Sequence, residues 1–232
     1  MKHKNNLWEQ SLLTFAVFGL VGGFLESYTY ILHGNVFCNA QTGNIVLMVI
    51  YFFKNMPFAA LKYIFSILAY TAGILLSAII PKRIGKWSRS SFMTLLEIAV
   101  LAALALIPET ASHYYARTVV AFLCAVQYNT FTHCHGAAMS TTFCTNNLRQ
   151  MILYLYAGVK NRDKASAKKA GIYAFLIAFF IVGAAVGAVS ANVLGNYCVL
   201  VCTAPLIPLF FLMIAEDYRK EKDGEQKQSE II

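Results

Sequence analysis

Gln41-Thr42-Gly43-Asn44 is the stretch that decides the fold, because the apolar run 45–53 follows it and a related stretch occurs later in the chain. The second copy is Cys144-Thr145-Asn146-Asn147, followed by the apolar run 151–159. In both places a long apolar segment comes first, then a small polar turn, then the short run. A helix that crosses the hydrocarbon core needs about 20 residues, so neither short run spans it. We interpret both runs as half-helices whose polar N-terminal ends meet inside a membrane.

The composition indicates a membrane protein. Hydrophobic residues make up 58% of the 232 residues and charged residues 13%, whereas soluble chains average about 45–50% and about 25%. The formal net charge of +8 comes from Lys and Arg between apolar segments, which is typical of cytoplasmic loops beside membrane helices. We therefore do not expect a nucleic-acid partner. The six cysteines show no paired spacing, so we expect free thiols.

Six longer apolar segments are predicted to be spanning helices. The order of segment types repeats, with three spans and one short run in each half of the chain. The first repeat covers about 11–107 and the second about 115–215, within a single membrane domain, 1–232, that ends in a charged cytoplasmic tail, 216–232. The predicted spans are about 11–32, 58–80, 92–107, 115–138, 170–194 and 197–215, with kinks at Pro205 and Pro208.

The orientation of the two halves depends on the short runs. If they re-enter the membrane, each half has an odd number of spans and the repeat is inverted, as in many secondary transporters. If they cross, the repeat is parallel. Their length favours re-entry, which also places both termini and the basic loops 81–90 and 160–169 in the cytoplasm. We predict an all-α polytopic membrane protein with an inverted repeat of three spanning helices plus one re-entrant half-helix.

The polar turns are the predicted binding site, because irregular backbone inside a bilayer must be buried in protein or line a cavity. Two facing helix starts carry unpaired N–H groups and partial positive charge, which suits a small anionic or polar solute. The alternative is that the turns are capped and packed shut. Thr42 and Thr145 have the chemistry of N-caps, and Asn44 and Asn147 are expected to face the cavity. The substrate-binding candidates are Thr42, Gly43, Asn44, Gln127, Asn129, Thr145, Asn146 and Asn147, and the second-tier candidates are Gln41, Thr141, Thr142 and Arg149.

Glu26 is an acid deep within the first predicted span. A carboxylate at the bilayer centre costs about 2.5–3.5 kcal/mol even on insertion scales, so we expect Glu26 to face the bundle interior. There it suits a proton-coupling site or a cation ligand. The alternative is a structural acid that is hydrogen-bonded to a neighbour such as Tyr28 or Asn129. Asn129 lies at the matching position of the second half, so the acid occurs on one side only.

A metal site is the weaker interpretation of His133-Cys134-His135 with Cys144 beyond. Imidazole and thiolate ligands suit zinc or copper. The spacing matches no closed zinc pattern, however, and adjacent residues on a helix point in different directions. We predict no metal and no cofactor, and keep an intramembrane metal-binding protein or enzyme as an alternative.

Two motifs resemble those of the YoaK-like family of bacterial inner-membrane proteins, which carries a domain-of-unknown-function label. Its first motif reads roughly G-x-x-D-A, G-G-x-F and M-T-G-N, similar to Gly23–Glu26, Gly34–Phe37 and Gln41–Asn44. Its second reads roughly G-M-Q-N and T-T-x-x-T-G, similar to Val126–Asn129 and Thr141–Asn146. The resemblance implies a six-span protein of the bacterial cytoplasmic (inner) membrane and brings no substrate. Here Glu26 replaces Asp, Gln41 replaces Met and Asn146 replaces Gly.

These observations favour a small secondary transporter, not an enzyme, in which the two turns bind the solute and Glu26 couples protons. A channel with the same site is the alternative. The sequence has no nucleotide-binding motif, so we do not expect a primary pump. The expected partners are the lipid bilayer, a small solute or ion, and a second copy of the chain. The candidate packing faces for that copy are Gly73 with Ser77 and Gly183 with Gly187.

Overall fold

The computed structural model describes residues 8–107, 109–134, 137–142 and 144–229. In these residues the fold is all-α apart from two short antiparallel hairpins, β1 (Arg83–Ile84) with β2 (Trp87–Ser88) and β3 (His133–Cys134) with β4 (Ala137–Ala138). A single 3-10 turn, Gly195–Cys198, joins two of the helices. The helices are α1 Leu12–Leu32, α2 Gln41–Phe53, α3 Pro57–Ile79, α4 Arg89–Ala105, α5 Glu109–Thr130, α6 Cys144–Lys160, α7 Lys164–Leu194, α8 Val199–Thr203 and α9 Leu206–Ser229.

The helices have the length and surface of a membrane protein. Within the described part of the chain, three helical segments are long and apolar enough to cross a membrane: Leu12–Leu32, Pro57–Ile79 and Lys164–Asp223. The helix Gln41–Phe53 is apolar but shorter. Its residue Phe53 is 80% exposed, and many other large apolar side chains also lie on the surface. Large apolar patches of this kind favour contact with lipid over contact with water.

The helices pack as pairs that join the two halves of the chain. Among the described residues, α1 packs most extensively on α7, and α3 packs on α5. The short helix α2 lies on α3, and α6 lies on α7. The first helix of each half therefore packs against the second predicted span of the other half.

Glycines make these pairs close. A Cβ atom on Gly183 of α7 would collide with the backbone carbonyl of Leu20 in α1, and one on Gly73 of α3 would collide with the carbonyl of Phe122 in α5. Small residues let two helix backbones approach in this way. The two faces that were predicted to pack against a second copy therefore pack against helices of the same chain. They are Gly73 with Ser77, whose hydroxyl accepts a hydrogen bond from Asn129, and Gly183 with Gly187, which packs on Phe24.

The fourth predicted span was too long. It was expected over 115–138, but α5 ends at Thr130 and the hairpin β3–β4 follows. Thr and Asn side chains compete with helical hydrogen bonds, which is why the polar end of this segment leaves the helix. His133 therefore lies on a strand, and His135 lies outside the described residues.

Two other boundaries differ from the prediction. The loop expected over 160–169 is shorter, because α7 begins at Lys164 with Asp163 as its N-cap. The Asp163 carboxylate accepts hydrogen bonds from the Ser166 hydroxyl and from the N–H groups of Ala165 and Ser166, which hold its pKa below the ordinary value. The predicted kink at Pro205 is confirmed, since α8 and α9 are separate helices on either side of it.

The charged tail begins inside the fold. Residues from 216 onward were expected to be solvated, but α9 continues to Ser229, and Glu216 and Asp217 are only 5% and 4% exposed. Oδ2 of Asp217 accepts hydrogen bonds from the N–H of Ser88 and the hydroxyl of Ser91, both at 2.7 Å. Ser88 is the N-cap of α4, where a negative charge is favourable. The prediction was wrong for these two acids because their partners are distant in sequence.

Gly183→Ala is expected to destabilise the protein, because the added methyl group must push α1 and α7 apart. Overpacking of this kind costs about 1–3 kcal/mol. The matched control is Gly171→Ala in the same helix, where nothing lies within 4 Å of an added Cβ. Thermal unfolding of both variants in detergent measures the difference, and equal midpoints would contradict the close α1–α7 contact.

Candidate functional site

Two polar connections contact the same turn of α1. The connection 38–40 leads into α2, and the connection 140–142 precedes α6. The carbonyl oxygen of Gly22 accepts a hydrogen bond from Asn39 Nδ2 at 3.3 Å. A Cβ atom on Gly22 would lie only 3.1 Å from the carbonyl oxygen of Thr141. A side chain at position 22 would therefore press on the connection 140–142.

Glu26, one turn further along α1, holds the start of α2. Its Oε2 accepts hydrogen bonds from Cys38 Sγ at 3.0 Å and from the N–H of Asn39 at 2.9 Å, and its Oε1 accepts from the N–H of Ala40 at 3.4 Å. Ala40 is the N-cap of α2, and its methyl side chain cannot accept a hydrogen bond from the start of the helix. The carboxylate of Glu26 therefore caps α2 from another helix, where the partial positive charge of the helix start favours an anion.

The partners expected for Glu26 make other contacts. The Tyr28 hydroxyl donates to Asn196 Oδ1, and Asn129 Nδ2 donates to Ser77 Oγ at 2.9 Å. Asn129 thus joins α5 to α3, as polar residues between membrane helices commonly do. It lies 103 positions after Glu26 in the sequence and binds a different helix.

Asn44 and Asn147 form equivalent clasps on the two connections. Asn44 accepts from the N–H of Phe37 at 3.1 Å and donates to its carbonyl oxygen at 2.6 Å. Asn147 does the same with Ser140, at 3.3 and 2.7 Å. Each side chain is buried and binds both backbone groups of the residue seven positions earlier. The two amides therefore form hydrogen bonds with irregular backbone. The sequence had predicted instead that they face an open cavity.

Several predicted site residues lie away from Gly22. Thr42 and Thr145 are not N-caps, because the N-cap of α2 is Ala40 and α6 already begins at Cys144. Both threonines are exposed, as are Asn146 and Arg149. Gly43 packs beside the Phe37 ring. The Gln41 side chain donates to the carbonyl oxygen of Cys38 and accepts from Asn44 Nδ2.

Several residues that reach this part of α1 carry buried polar atoms with no partner among the described residues. Gln127 Nε2 donates to the carbonyl oxygen of Phe18, one turn before Gly22, but its Oε1 has no partner among the described residues. Buried polar atoms in folded proteins are nearly always hydrogen-bonded, so each of these atoms calls for a partner that the described residues do not supply. The other atoms of this kind at the connections are Asn39 Oδ1, Thr141 Oγ1 and Thr142 Oγ1.

Sequence reasoning identified Gln127, Thr141 and Thr142 as candidates but missed Asn39. Asn39 lies 103 positions before Thr142, the same separation as between Asn44 and Asn147. A search for polar residues at matching positions in both connections would have found it.

The weak metal candidates are not gathered into a site. His133 is exposed, with Nδ1 2.9 Å from Thr132 Oγ1, and Cys144 is half-buried. The described part of the chain contains no group of three His, Cys, Asp or Glu side chains placed to hold a metal ion. His135 lies outside the described residues.

Comparison with known protein families assigns the chain to one family. Residues 14–213 match the family model described as protein of unknown function (DUF1275). The chain belongs to this family. The resemblance drawn from the two sequence motifs, to a family with a domain-of-unknown-function label, is consistent with this match. No curated protein and no solved structure matches the chain. The DUF1275 match includes Gly22, Glu26 and both polar connections.

Asn44→Ala and Asn147→Ala are each expected to lower the free energy of unfolding by about 1–3 kcal/mol, because each removes two buried hydrogen bonds between the amide and the backbone. The control is Asn192→Ala, since Asn192 is exposed and bonds only its own helix at Ala188. Chemical or thermal unfolding in detergent compares the three variants. A clasp variant as stable as the control would show that the clasp does not hold its connection.

Proposed function

We propose that this protein is a small secondary transporter, which binds a small polar solute where the connections 38–40 and 140–142 meet Gly22. The observation that carries the proposal is that four buried polar atoms, on residues that reach this part of the fold, have no partner among the described residues. Two are amide oxygens, which accept hydrogen bonds, and two are hydroxyls, which donate or accept. They suit a solute that carries N–H or O–H groups. The four atoms are Asn39 Oδ1, Gln127 Oε1, Thr141 Oγ1 and Thr142 Oγ1.

The contacts of Glu26 favour a polar over an anionic solute. The sequence left both classes open, because a helix start attracts anions. At the start of α2, however, the N–H groups of Asn39 and Ala40 already donate to the Glu26 carboxylate. An anionic solute would have to displace this carboxylate or bind at the start of α6 instead.

Glu26 would couple the site to protons through the connection that it holds. As a carboxylate it accepts the three hydrogen bonds from Cys38, Asn39 and Ala40. A protonated carboxyl group accepts fewer bonds and must itself donate one. Protonation would therefore weaken the attachment of the connection 38–40 to α1. Movement of that connection would change access to the polar atoms at Gly22.

An inverted repeat with re-entrant short helices is part of the proposal. It is supported by the equivalent Asn clasps and by the equivalent α1–α7 and α5–α3 pairs. The 13 residues of α2 reach about 20 Å, less than the hydrocarbon core of about 30 Å. The basic loops then place both termini in the cytoplasm of a bacterial cell. Two stacked tyrosine pairs also correspond: Tyr51 with Tyr63, and Tyr154 with Tyr173.

Glu26→Gln is expected to remove the proton dependence of solute uptake while the protein remains folded, since the amide can still accept from the α2 start but cannot titrate. Proteoliposomes with an internal pH-sensitive dye, screened with small amides, amino acids, polyols and carboxylates, measure uptake and its pH dependence. The matched control is Glu97→Gln, because Glu97 is another acid, 3% exposed, on α4.

Proton-dependent uptake that persists in Glu26→Gln, or that is lost equally in Glu97→Gln, would refute the coupling role. Solute flux that does not saturate and shows no proton dependence in the unaltered protein would favour the channel alternative.

The turn before Pro57 and the loop before Lys164 are expected to lie on opposite sides of the membrane. Single Lys54→Cys and Asn161→Cys variants, labelled in intact cells with a membrane-impermeant maleimide, test this. The native thiols give little background, since five of the six are buried and Cys144 is half-buried. Labelling of Lys54→Cys alone supports re-entry. If the short helices cross, both positions lie on the cytoplasmic side, so neither variant is labelled in intact cells and both are labelled after permeabilisation.

A further inference from the structure

Two cationic side chains meet at the end of α1, away from the polar atoms at Gly22. Lys62 Nζ donates to the carbonyl oxygen of Gly34 at 2.7 Å. A Cβ atom on Gly34 would lie 3.1 Å from Arg117 Nη1. Both cationic groups therefore border the same residue. Arg117 precedes Gln127 by ten residues on α5, a distance of about 15 Å along the helix, so this place is separate from the proposed solute site.

The Arg117 side chain is buried, and one of its donors has no partner among the described residues. The residue is only 4% exposed, and its Nε is buried without a hydrogen-bond partner among the described residues. Its guanidinium lies 4.5 Å from the centre of the Tyr114 ring, which offers a π-face but no hydrogen-bond acceptor for the five N–H groups. A buried cation in this state needs a negatively charged partner.

The described carboxylates do not provide that partner. The two ion pairs in the described part of the chain, Lys86 with Glu221 and Lys220 with Glu216, involve neither cation. Glu26 is bonded to the start of α2. Glu109 begins the helix that carries Arg117, but its backbone lies about 12 Å away along that helix.

We propose that Lys62 and Arg117 bind a phosphate-type oxyanion beside Gly34, supplied either by a lipid headgroup or as free phosphate. A guanidinium matches two oxygens of such an anion with a planar pair of N–H donors, and an ammonium adds a compact charge. The aromatic surroundings reach the surface, because Tyr114 is 70% exposed. Lys62 lies near the start of α3, five residues after Pro57, where a phosphate in the headgroup layer or in solution is within reach.

The second half of the chain offers a matched control. Lys169 Nζ lies 5.2 Å from the centre of the Tyr154 ring, as Lys62 Nζ lies 5.3 Å from the centre of the Tyr51 ring. Lys169 lies on α7, whereas Lys62 lies on α3 and Arg117 lies on α5. Removing Lys169 therefore deletes a similar lysine–tyrosine contact without touching the proposed site.

The test uses the full chain, delipidated in non-ionic detergent, with two separate probes: inorganic phosphate and dioctanoyl phosphatidylglycerol. We expect at least one probe to bind, and Arg117→Gln and Lys62→Gln each to weaken its binding by about tenfold or more, while Lys169→Gln leaves it unchanged. Binding of phosphatidylglycerol alone identifies the lipid source, and binding of inorganic phosphate identifies a free anion. Arg117→Lys keeps the charge but loses the planar donors, so we expect an intermediate loss.

The proposal is overturned if neither probe binds the unaltered protein, if the Lys62 and Arg117 variants bind as tightly as it does, or if Lys169→Gln weakens binding equally. Size-exclusion chromatography checks that each variant is folded. If Arg117→Gln does not fold, the half-buried Lys62 carries the test through Lys62→Gln. The proton dependence controlled by Glu26 is a separate measurement, so either proposal can fail without the other.

Discussion

A backbone N–H group cannot be left without a partner in apolar surroundings, and the two irregular connections contain several such groups. The protein supplies their partners from side chains. The carboxylate of Glu26 accepts from the connection before α2, and the amides of Asn44 and Asn147 each bind a residue seven positions earlier. The positions of both short helices depend on these bonds. Because the connections are fixed in this way, the remaining polar atoms around Gly22 can stay buried in the interior.

Helix α1 combines two requirements that conflict in most helices. It must lie close enough to α7 for glycines to contact its backbone, and it must hold both polar connections. Its own glycines meet both requirements: a Cβ atom on Gly23 would collide with Phe180 of α7, and Gly22 leaves room for Thr141. Glu26 then follows at a position where it reaches the start of α2. A short segment of one helix therefore sets both the packing and the polar interior.

Hydrophobic length alone predicted α1, α2 and α3 to within a few residues, since long apolar segments form helices in a membrane whatever their partners are. The sequence did not predict the hydrogen-bond partners of the polar residues. Thr42 has the composition of an N-cap, but capping depends on backbone geometry, and the cap is Ala40 with an acceptor from Glu26. Asp217 looked solvated because its partner Ser88 lies 129 residues away. The sequence predicted that Glu26 faces the interior. It did not predict which backbone N–H groups Glu26 binds.

The pairing of α1 with α7 and of α3 with α5 also constrains how the chain is assembled. During synthesis α1 enters the membrane long before its partner has been made, and it carries the glycine surface that α7 will later cover. The pair α3–α5 forms in between, across the middle of the chain. The two halves are therefore interlocked, and the first cannot reach its final packing on leaving the ribosome. The final packing of α1 waits for α7, and α9, which brings Asp217 to the start of α4, follows later still.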